Sequence, residues 1–322
     1  MCVLGGLAVL AGGGCVPAEP ILPNDADADG IFDMVDPDPT FPTPQTLQYA
    51  GRTRAYTVRL PQGYDGAQPL PLVLALHGTG QTPRELRDVA ELDAEADANN
   101  LIFVFPEAVE LNWNDGREVA GITAYDEDVD DVGFLDTLIG VIDTAYNVDE
   151  TRVYSVGFSN GGIMCMRLGL EAPAAYAALG SVKAALPVEL AERPVPAIPT
   201  PFIFYASTTD PVVPFEGGTI SNGSVVLGTF LSVPETVAAR VNINGASAPP
   251  LETPVPATAN DGTTATQFAF TGDNPVEYYE IAGAGHNWPG GPRLQALFGP
   301  GSVSQEVQAA ALTVDFFLAF SR

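Results

Sequence analysis

The chain has 322 residues and a formal net charge of −27, with 40 acidic side chains against 13 basic ones and a single lysine, Lys183. That balance excludes the basic footprint that nucleic-acid binding needs and disfavours adsorption on anionic membranes or acidic polymers. Of three cysteines, Cys2 and Cys15 lie at the extreme N-terminus, so the body holds only Cys165 and can form no internal disulfide.

Residues 1–16 are apolar and glycine-rich and end in Gly12-Gly13-Gly14-Cys15. The run is short for a membrane span and reads as a secretory leader. Small residues before Cys15 are similar to a bacterial lipoprotein cleavage site, although Gly12 stands where such sites favour an aliphatic residue. Lipidation at Cys15 is therefore expected, with plain secretion as the alternative.

Residues 17–46 read as an acidic, proline-rich linker. Within it, Asp25, Asp27, Asp29, Asp33 and Asp36, with Gly30 at the sixth position, suit one short loop wrapped around calcium. The segment resembles a thrombospondin type 3 calcium repeat or a minimal EF-hand loop. Asp36 replaces the bidentate glutamate of an EF-hand, which predicts weak affinity. An acidic solvated spacer is the alternative. A bound calcium would stiffen the tether and take no part in chemistry.

Residues 47–322 read as one α/β domain, long enough to bury a substantial core. Strands are predicted at Tyr56–Leu60, Leu72–Leu76, Leu101–Phe105, Val153–Gly157, Phe202–Ala206 and Val276–Ile281, alternating with helical stretches. Thr82-Pro83-Arg84-Glu85 and Ser232-Val233-Pro234-Glu235 have the form of capping boxes that open two helices. The Pro/Thr/Ala-rich stretch from Asn244 to Asp261 reads as a long loop near the site, where selectivity often resides, or as a surface loop of no consequence. A last helix is expected over Gln305–Phe320.

Chemistry enters at Gly157-Phe158-Ser159-Asn160-Gly161, where a strand turns sharply into a helix. Glycines two positions either side of Ser159 permit the tight turn that exposes a nucleophilic serine. A triad in the order Ser…acid…His is the α/β-hydrolase order. Only two histidines exist, and His286, in a glycine-rich loop after a strand, is the candidate base. Asp210, following the strand Phe202–Ala206 and preceding Pro211, is the candidate acid that would hold the imidazole tautomer. The apolar strand Leu72–Leu76 runs into His77-Gly78-Thr79-Gly80, so the amides of Thr79 and Asn160 are the candidate oxyanion donors. His77 is expected to orient this loop without entering the chemistry, and Cys165, on the helix after the serine, to be a buried small apolar residue.

With these residues placed, the chain resembles the bacterial esterase family of poly(3-hydroxybutyrate) depolymerases and feruloyl esterases, related to carbohydrate esterase family 1. The matching blocks begin with Pro71 through Gly78, Trp113-Asn114-Asp115 and Asp130 through Phe134, and continue with Gly157 through Gly162, Thr209 through Pro214 and Gly285 through Gly290. They span the chain from about Gln45 onward. The resemblance implies an α/β-hydrolase fold, with a central mostly parallel sheet flanked by helices in a single catalytic domain. It implies an extracellular serine esterase with Ser159, Asp210 and His286 as triad, needing no cofactor, and it suggests Trp288 and Trp113 near the acyl pocket or its entrance, with a core or rim aromatic as the alternative for either. Feruloyl or acetyl esters of plant polysaccharide and hydroxyalkanoate polyesters are all compatible substrates. Many relatives carry extra cysteines before the histidine strand, which this chain lacks, so the loops flanking its site must be held differently. A non-catalytic polymer-binding protein on the same shell, or a serine peptidase, are the rival readings.

Overall fold

Six parallel strands form the centre of the main sheet, and Thr79, Ser159, Asn160, Asp210 and His286 each sit beyond the carboxyl end of one of them. The computed structural model describes residues 44–193, 198–222, 225–292 and 301–322. Cys15 and the five aspartates from Asp25 to Asp36 lie outside the described residues.

In chain order the strands of the main sheet begin with β1 (Gln45–Tyr49), β2 (Arg52–Arg59), β3 (Leu70–Leu76), β4 (Ile102–Pro106) and β5 (Val148–Phe158). They continue with β6 (Ala178–Val182) and β7 (Phe202–Ser207), and then, after a separate hairpin of β8 (Gly218–Asn222) and β9 (Val225–Phe230), with β10 (Leu251–Pro254), β11 (Thr264–Phe270) and β12 (Val276–Ala282). The sheet order is β1-β2-β4-β3-β5-β6-β7-β12-β11-β10. Pairing is parallel from β4 through β12, and antiparallel strands extend both edges.

The helices are α1 (Pro83–Ala90), α2 (Leu92–Asn99), α3 (Thr123–Asp126), α4 (Asp131–Ala145), α5 (Asn160–Glu171), α6 (Val188–Ala191), α7 (Val233–Asn244) and α8 (Ala309–Leu318). The continuous apolar run of β3 is explained by its two buried faces. Leu72, Leu74 and Leu76 pack in one core layer with α4, α5 and α7, while Val73 and Ala75 pack in the other with α1, α2 and α8. Six predicted strands are present within a few residues of their expected ends. Both capping boxes are made, with Thr82 and Ser232 each accepting from the amide three residues on and receiving the glutamate in return.

Two expectations need correction. The stretch from Asn244 to Asp261 contains the edge strand β10 and lines no part of the candidate cavity. Proline and threonine are tolerated there because an edge strand leaves backbone groups unpaired, and Pro254 sits in that strand. The last helix begins at Ala309 instead of Gln305, because the preceding turn is bonded elsewhere. Gln305 donates its amide to Asp261 and its side-chain amide to the Gly291 carbonyl. Among the described residues no helix is long and apolar enough to cross a membrane, and no cluster of three metal-ligating side chains occurs.

Candidate active site

Ser159 stands at the apex between β5 and α5 with φ 52° and ψ −117°, a conformation costly for a residue with a Cβ. The flanking glycines are a steric necessity. A Cβ on Gly157 would collide with the Gly161 carbonyl, and one on Gly161 with the Leu76 carbonyl of β3. The strained serine is held by its amide, which donates to the Val182 carbonyl of β6 at 2.8 Å.

His286, in the loop after β12, donates from Nδ1 to Asp210, at 2.9 Å from Oδ2 and 3.1 Å from Oδ1. Its Nε2 is thereby the nitrogen left for a reacting group. Asp210 follows β7, and its Oδ1 also accepts the amides of Val212 and Val213, each at 2.9 Å. Burial alone would raise the Asp210 pKa; the hydrogen bond and charge of His286, the Val213 amide and the nearby Lys183 outweigh it and hold the carboxyl below its usual range. Two hydroxyls tie the acid loop to the base loop, since Ser207 and Thr209 both donate to the Ala284 carbonyl, at 2.6 and 2.8 Å. Behind His286, Gly285 and Gly290 donate to Ser302 and Ser304, so the last loop of the chain supports the imidazole mount.

The other side of the site grows from β3. His77 is fully buried, its Nδ1 2.8 Å from the Gly78 carbonyl and its Nε2 accepting the Ala108 amide at 3.1 Å. Those partners set the Nδ1–H tautomer, and burial lowers its pKa to about 4, so the ring stays neutral and structural, as its sequence position suggested. Asn160 is the first residue of α5, where an amide has no acceptor within the helix. Its side chain is gripped on both ends. Oδ1 accepts the Trp113 amide at 2.8 Å, while Nδ2 donates to the Trp113 carbonyl at 3.1 Å and to Asp115 at 2.6 Å.

Ser159, His286, Thr79 and Asn160 line one cavity of about 280 Å³. Among the described residues its remaining wall is largely apolar, with Val119, Ile122, Val212, Ile220, Leu227 and Phe230, and it carries one arginine, Arg117. Ile220, Leu227 and Phe230 come from the β8–β9 hairpin, whose role the sequence did not disclose.

Trp113 and Trp288 do not line this cavity, contrary to the expectation that they contact substrate. They are 0% and 1% exposed. Trp113 donates its indole N–H to the His77 carbonyl at 3.0 Å, bracing the loop after β3 that carries Thr79. Trp288 packs beside Phe158, whose ring in turn lies 5.0 Å from that of His286. Both tryptophans support the site from its underside. Cys165 is buried with its sulfur 3.4 Å from Ser155 Oγ, and burial pushes its thiol up to about 12, so it has no reactive thiolate. Three residues that matter were not singled out by the sequence: Asp115 beneath Asn160, Arg117 at the cavity wall, and Lys183 behind Asp210. Asp115 lay inside a recognised block, Trp113-Asn114-Asp115, and that proximity was the available signal.

Comparison with known proteins adds identity to this geometry. The family model described as "Putative esterase" matches residues 48–186. A "Putative esterase NocK" from Nocardia uniformis subsp. tsuyamanensis is 33% identical across 97% of this chain and 96% of its own length. "Feruloyl esterase C" from Emericella nidulans is 26% identical across 73% of this chain and 76% of its own. Among solved structures, an acetyl xylan esterase from Aspergillus awamori aligns with a TM-score of 0.56 at 11% identity, covering 76% of this chain and 94% of that one, which shows the shared α/β-hydrolase fold. The chain therefore belongs to the esterase family and is a carboxylic ester hydrolase, with feruloyl esterases among the proteins it is similar to.

Proposed function

We propose that this hydrolase works by acyl transfer through Ser159, with His286 as general base and acid and Asp210 as the carboxylate that orients it. Ser159 Oγ attacks the ester carbonyl as His286 Nε2 takes its proton. The amides of Thr79 and Asn160 receive the oxyanion, the alcohol leaves with the proton from His286, and water hydrolyses the acyl-enzyme by the same steps in reverse roles. The reaction supplies its own nucleophile, base and oxyanion donors, so this reading calls for no cofactor. The observation that carries it is the His286 Nδ1–Asp210 pair opening into the same cavity as the strained Ser159.

The apolar wall and bonded cation favour an uncharged acyl group. Feruloyl or acetyl esters of plant polysaccharide and hydroxyalkanoate polyesters are the substrate classes proposed. Turnover of 4-nitrophenyl acetate, methyl ferulate, acetylated xylan and a hydroxybutyrate oligomer, each beside Ser159→Ala, tests the reading. Serine-dependent hydrolysis is expected, together with fluorophosphonate labelling lost in the variant. Absence of both would leave a polymer-binding protein on a hydrolase shell.

The N-terminal segment extends the proposal to an exported enzyme, lipidated at Cys15 and tethered by a calcium-stiffened loop at Asp25, Asp27, Asp29, Asp33 and Asp36. Labelling with a palmitate analogue that vanishes in Cys15→Ala, and heat on titrating calcium, are the expected results.

A further inference from the structure

Arg117 has no part in the proposed acyl-transfer steps, yet among the described residues it is the one arginine or lysine on the cavity wall, and all its side-chain nitrogens point to named partners. Nε meets both oxygens of Asp115 at 3.0 Å, Nη1 donates to the Leu227 carbonyl at 2.8 Å, and Nη2 donates to the Tyr125 hydroxyl at 2.8 Å. Tyr125 in turn donates to Asp115 at 3.1 Å. Asp115 is fully buried and holds Asn160 Nδ2 at 2.6 Å. An unbroken path of charge-assisted bonds therefore runs from β9 of the hairpin through Arg117 and Asp115 to the residue after the nucleophile. The hairpin is shaped to admit this arginine. Gly228 has φ 132°, and a Cβ there would lie 2.9 Å from Arg117 Cδ. The Phe230 ring sits 5.6 Å from the guanidinium carbon.

The arrangement joins two functions that could have been built apart. One end of the path is a wall against which the apolar part of a substrate rests, and the other is the side chain that fixes a candidate oxyanion donor. We propose that Arg117 is a positioning residue that couples the β8–β9 wall to Asn160, so that an ester whose apolar acyl chain reaches the hairpin is turned over faster, not merely bound more tightly. The proposal rests on the reading of Ser159 as nucleophile. The chemistry favoured is an uncharged ester with a medium-length apolar acyl group, because Arg117's hydrogen bonds go to Asp115, Leu227 and Tyr125 and none of them is directed at a substrate carboxylate. Binding energy gained remote from the reacting carbonyl is then realised in the transition state, which is how such contacts raise kcat.

The test compares 4-nitrophenyl acetate with 4-nitrophenyl hexanoate in the full chain, Arg117→Lys and Gly228→Ala. The lysine keeps a positive charge for Asp115 but cannot reach all three partners in the guanidinium's fixed geometry. The alanine presses on the arginine stem at 2.9 Å and also on the Phe230 ring at 3.2 Å, strains the hairpin at its φ of 132° and leaves Asp115 untouched, so it approaches the same arginine from the hairpin side if the first variant folds poorly. Loss of one charge-assisted bond is worth roughly tenfold in rate. Hexanoate kcat/KM is expected to fall about tenfold further than acetate kcat/KM in both variants, with part of the fall in kcat. Equal losses for the two esters, no loss for either, or a hexanoate loss confined to KM would overturn the coupling. Fluorophosphonate labelling of Ser159 reports separately on the nucleophile. If Ser159→Ala keeps full turnover, that reading fails and the coupling fails with it.

Discussion

The two halves of the site are built in different ways. The base and acid half is assembled from loops, in which Asp210 and His286 each follow a strand and hydroxyl-to-carbonyl bonds from Ser207 and Thr209 tie the two loops together. The half proposed to hold the oxyanion is a buried polar network, in which His77, Trp113, Asp115 and Asn160 are buried and bonded to one another or to backbone. The loop half makes the functional groups available, and the network half fixes where a backbone amide points. A local substitution should therefore remove chemistry in the first half and loosen geometry in the second.

The largest effect should come from Asp210→Asn. Oδ1 of Asp210 is committed to the Val212 and Val213 amides, so the new NH₂ must occupy the Oδ2 position facing His286 Nδ1. An imidazole that accepts at Nδ1 carries its proton on Nε2 and cannot take one from Ser159. By analogy with other serine hydrolases this costs roughly 10⁴ in kcat. A loss of only a few-fold, measured with a soluble 4-nitrophenyl ester, would show that the carboxylate does not set the tautomer.

A smaller effect is expected from Asn160→Ala, which keeps the backbone amide and removes only its tethers to Trp113 and Asp115. Misplacing one oxyanion donor costs on the order of 10²–10³ in kcat. Unlike Asp210→Asn, this change should leave the pH dependence of kcat/KM in place, because base and acid are untouched. A shifted profile would mean that the network also governs the base.

The contrast between the halves also accounts for what the sequence disclosed. The candidate trio Ser159, Asp210 and His286 could be picked out in the sequence because a nucleophile turn needs glycines at fixed spacing and its expected partners come in a fixed chain order; the structure places His286 against Asp210 and on the same cavity as Ser159, and their roles are those proposed above. Five of the six central parallel strands were legible, most of them because burial on both faces makes them continuously apolar; β6, which holds Gly180 and Ser181 in its five residues, was not. The network half is written in long-range pairs, such as Asn160 with Asp115, 45 residues apart. No local pattern marks them. Arg117 reads in sequence as one more surface cation, and its guanidinium finds Leu227 at 110 residues' distance. The tryptophans misled for a related reason. A large aromatic beside a motif can face the cavity or the core, and only packing decides. The β8–β9 hairpin escaped notice because Gly218–Phe230 is short, polar and glycine-bearing, with little period-2 alternation to mark a strand.

The smallest of the three effects concerns the one lysine, and it tests whether the acid half also carries a buried support. Lys183 follows β6 with φ 57°, is 1% exposed, and its Nζ has no hydrogen-bond partner among the described residues. Burial lowers its pKa to about 8, against the opposing pull of the Asp210 carboxylate. The unfolded chain, with an ordinary lysine near 10.5, therefore binds more protons than the folded one between about pH 8 and 10.5, and stability from this group rises with pH across that window. Below pH 8 the ammonium is charged in both states and its burial costs about 3 kcal/mol, at about 1.4 kcal/mol per pKa unit. Above 10.5 the group is neutral in both states and the cost is gone. Lys183→Met should accordingly be more stable than wild type at pH 7 by up to that amount, with the gap in urea midpoints closing as pH approaches 10.5. Because Lys183 also helps keep the Asp210 carboxyl low, the variant should need a slightly higher pH to reach full activity. A variant less stable than wild type at pH 7 would reverse the balance, showing that the ammonium's attraction to Asp210 outweighs its own desolvation and that the acid half, like the oxyanion half, is held by a buried charge pair.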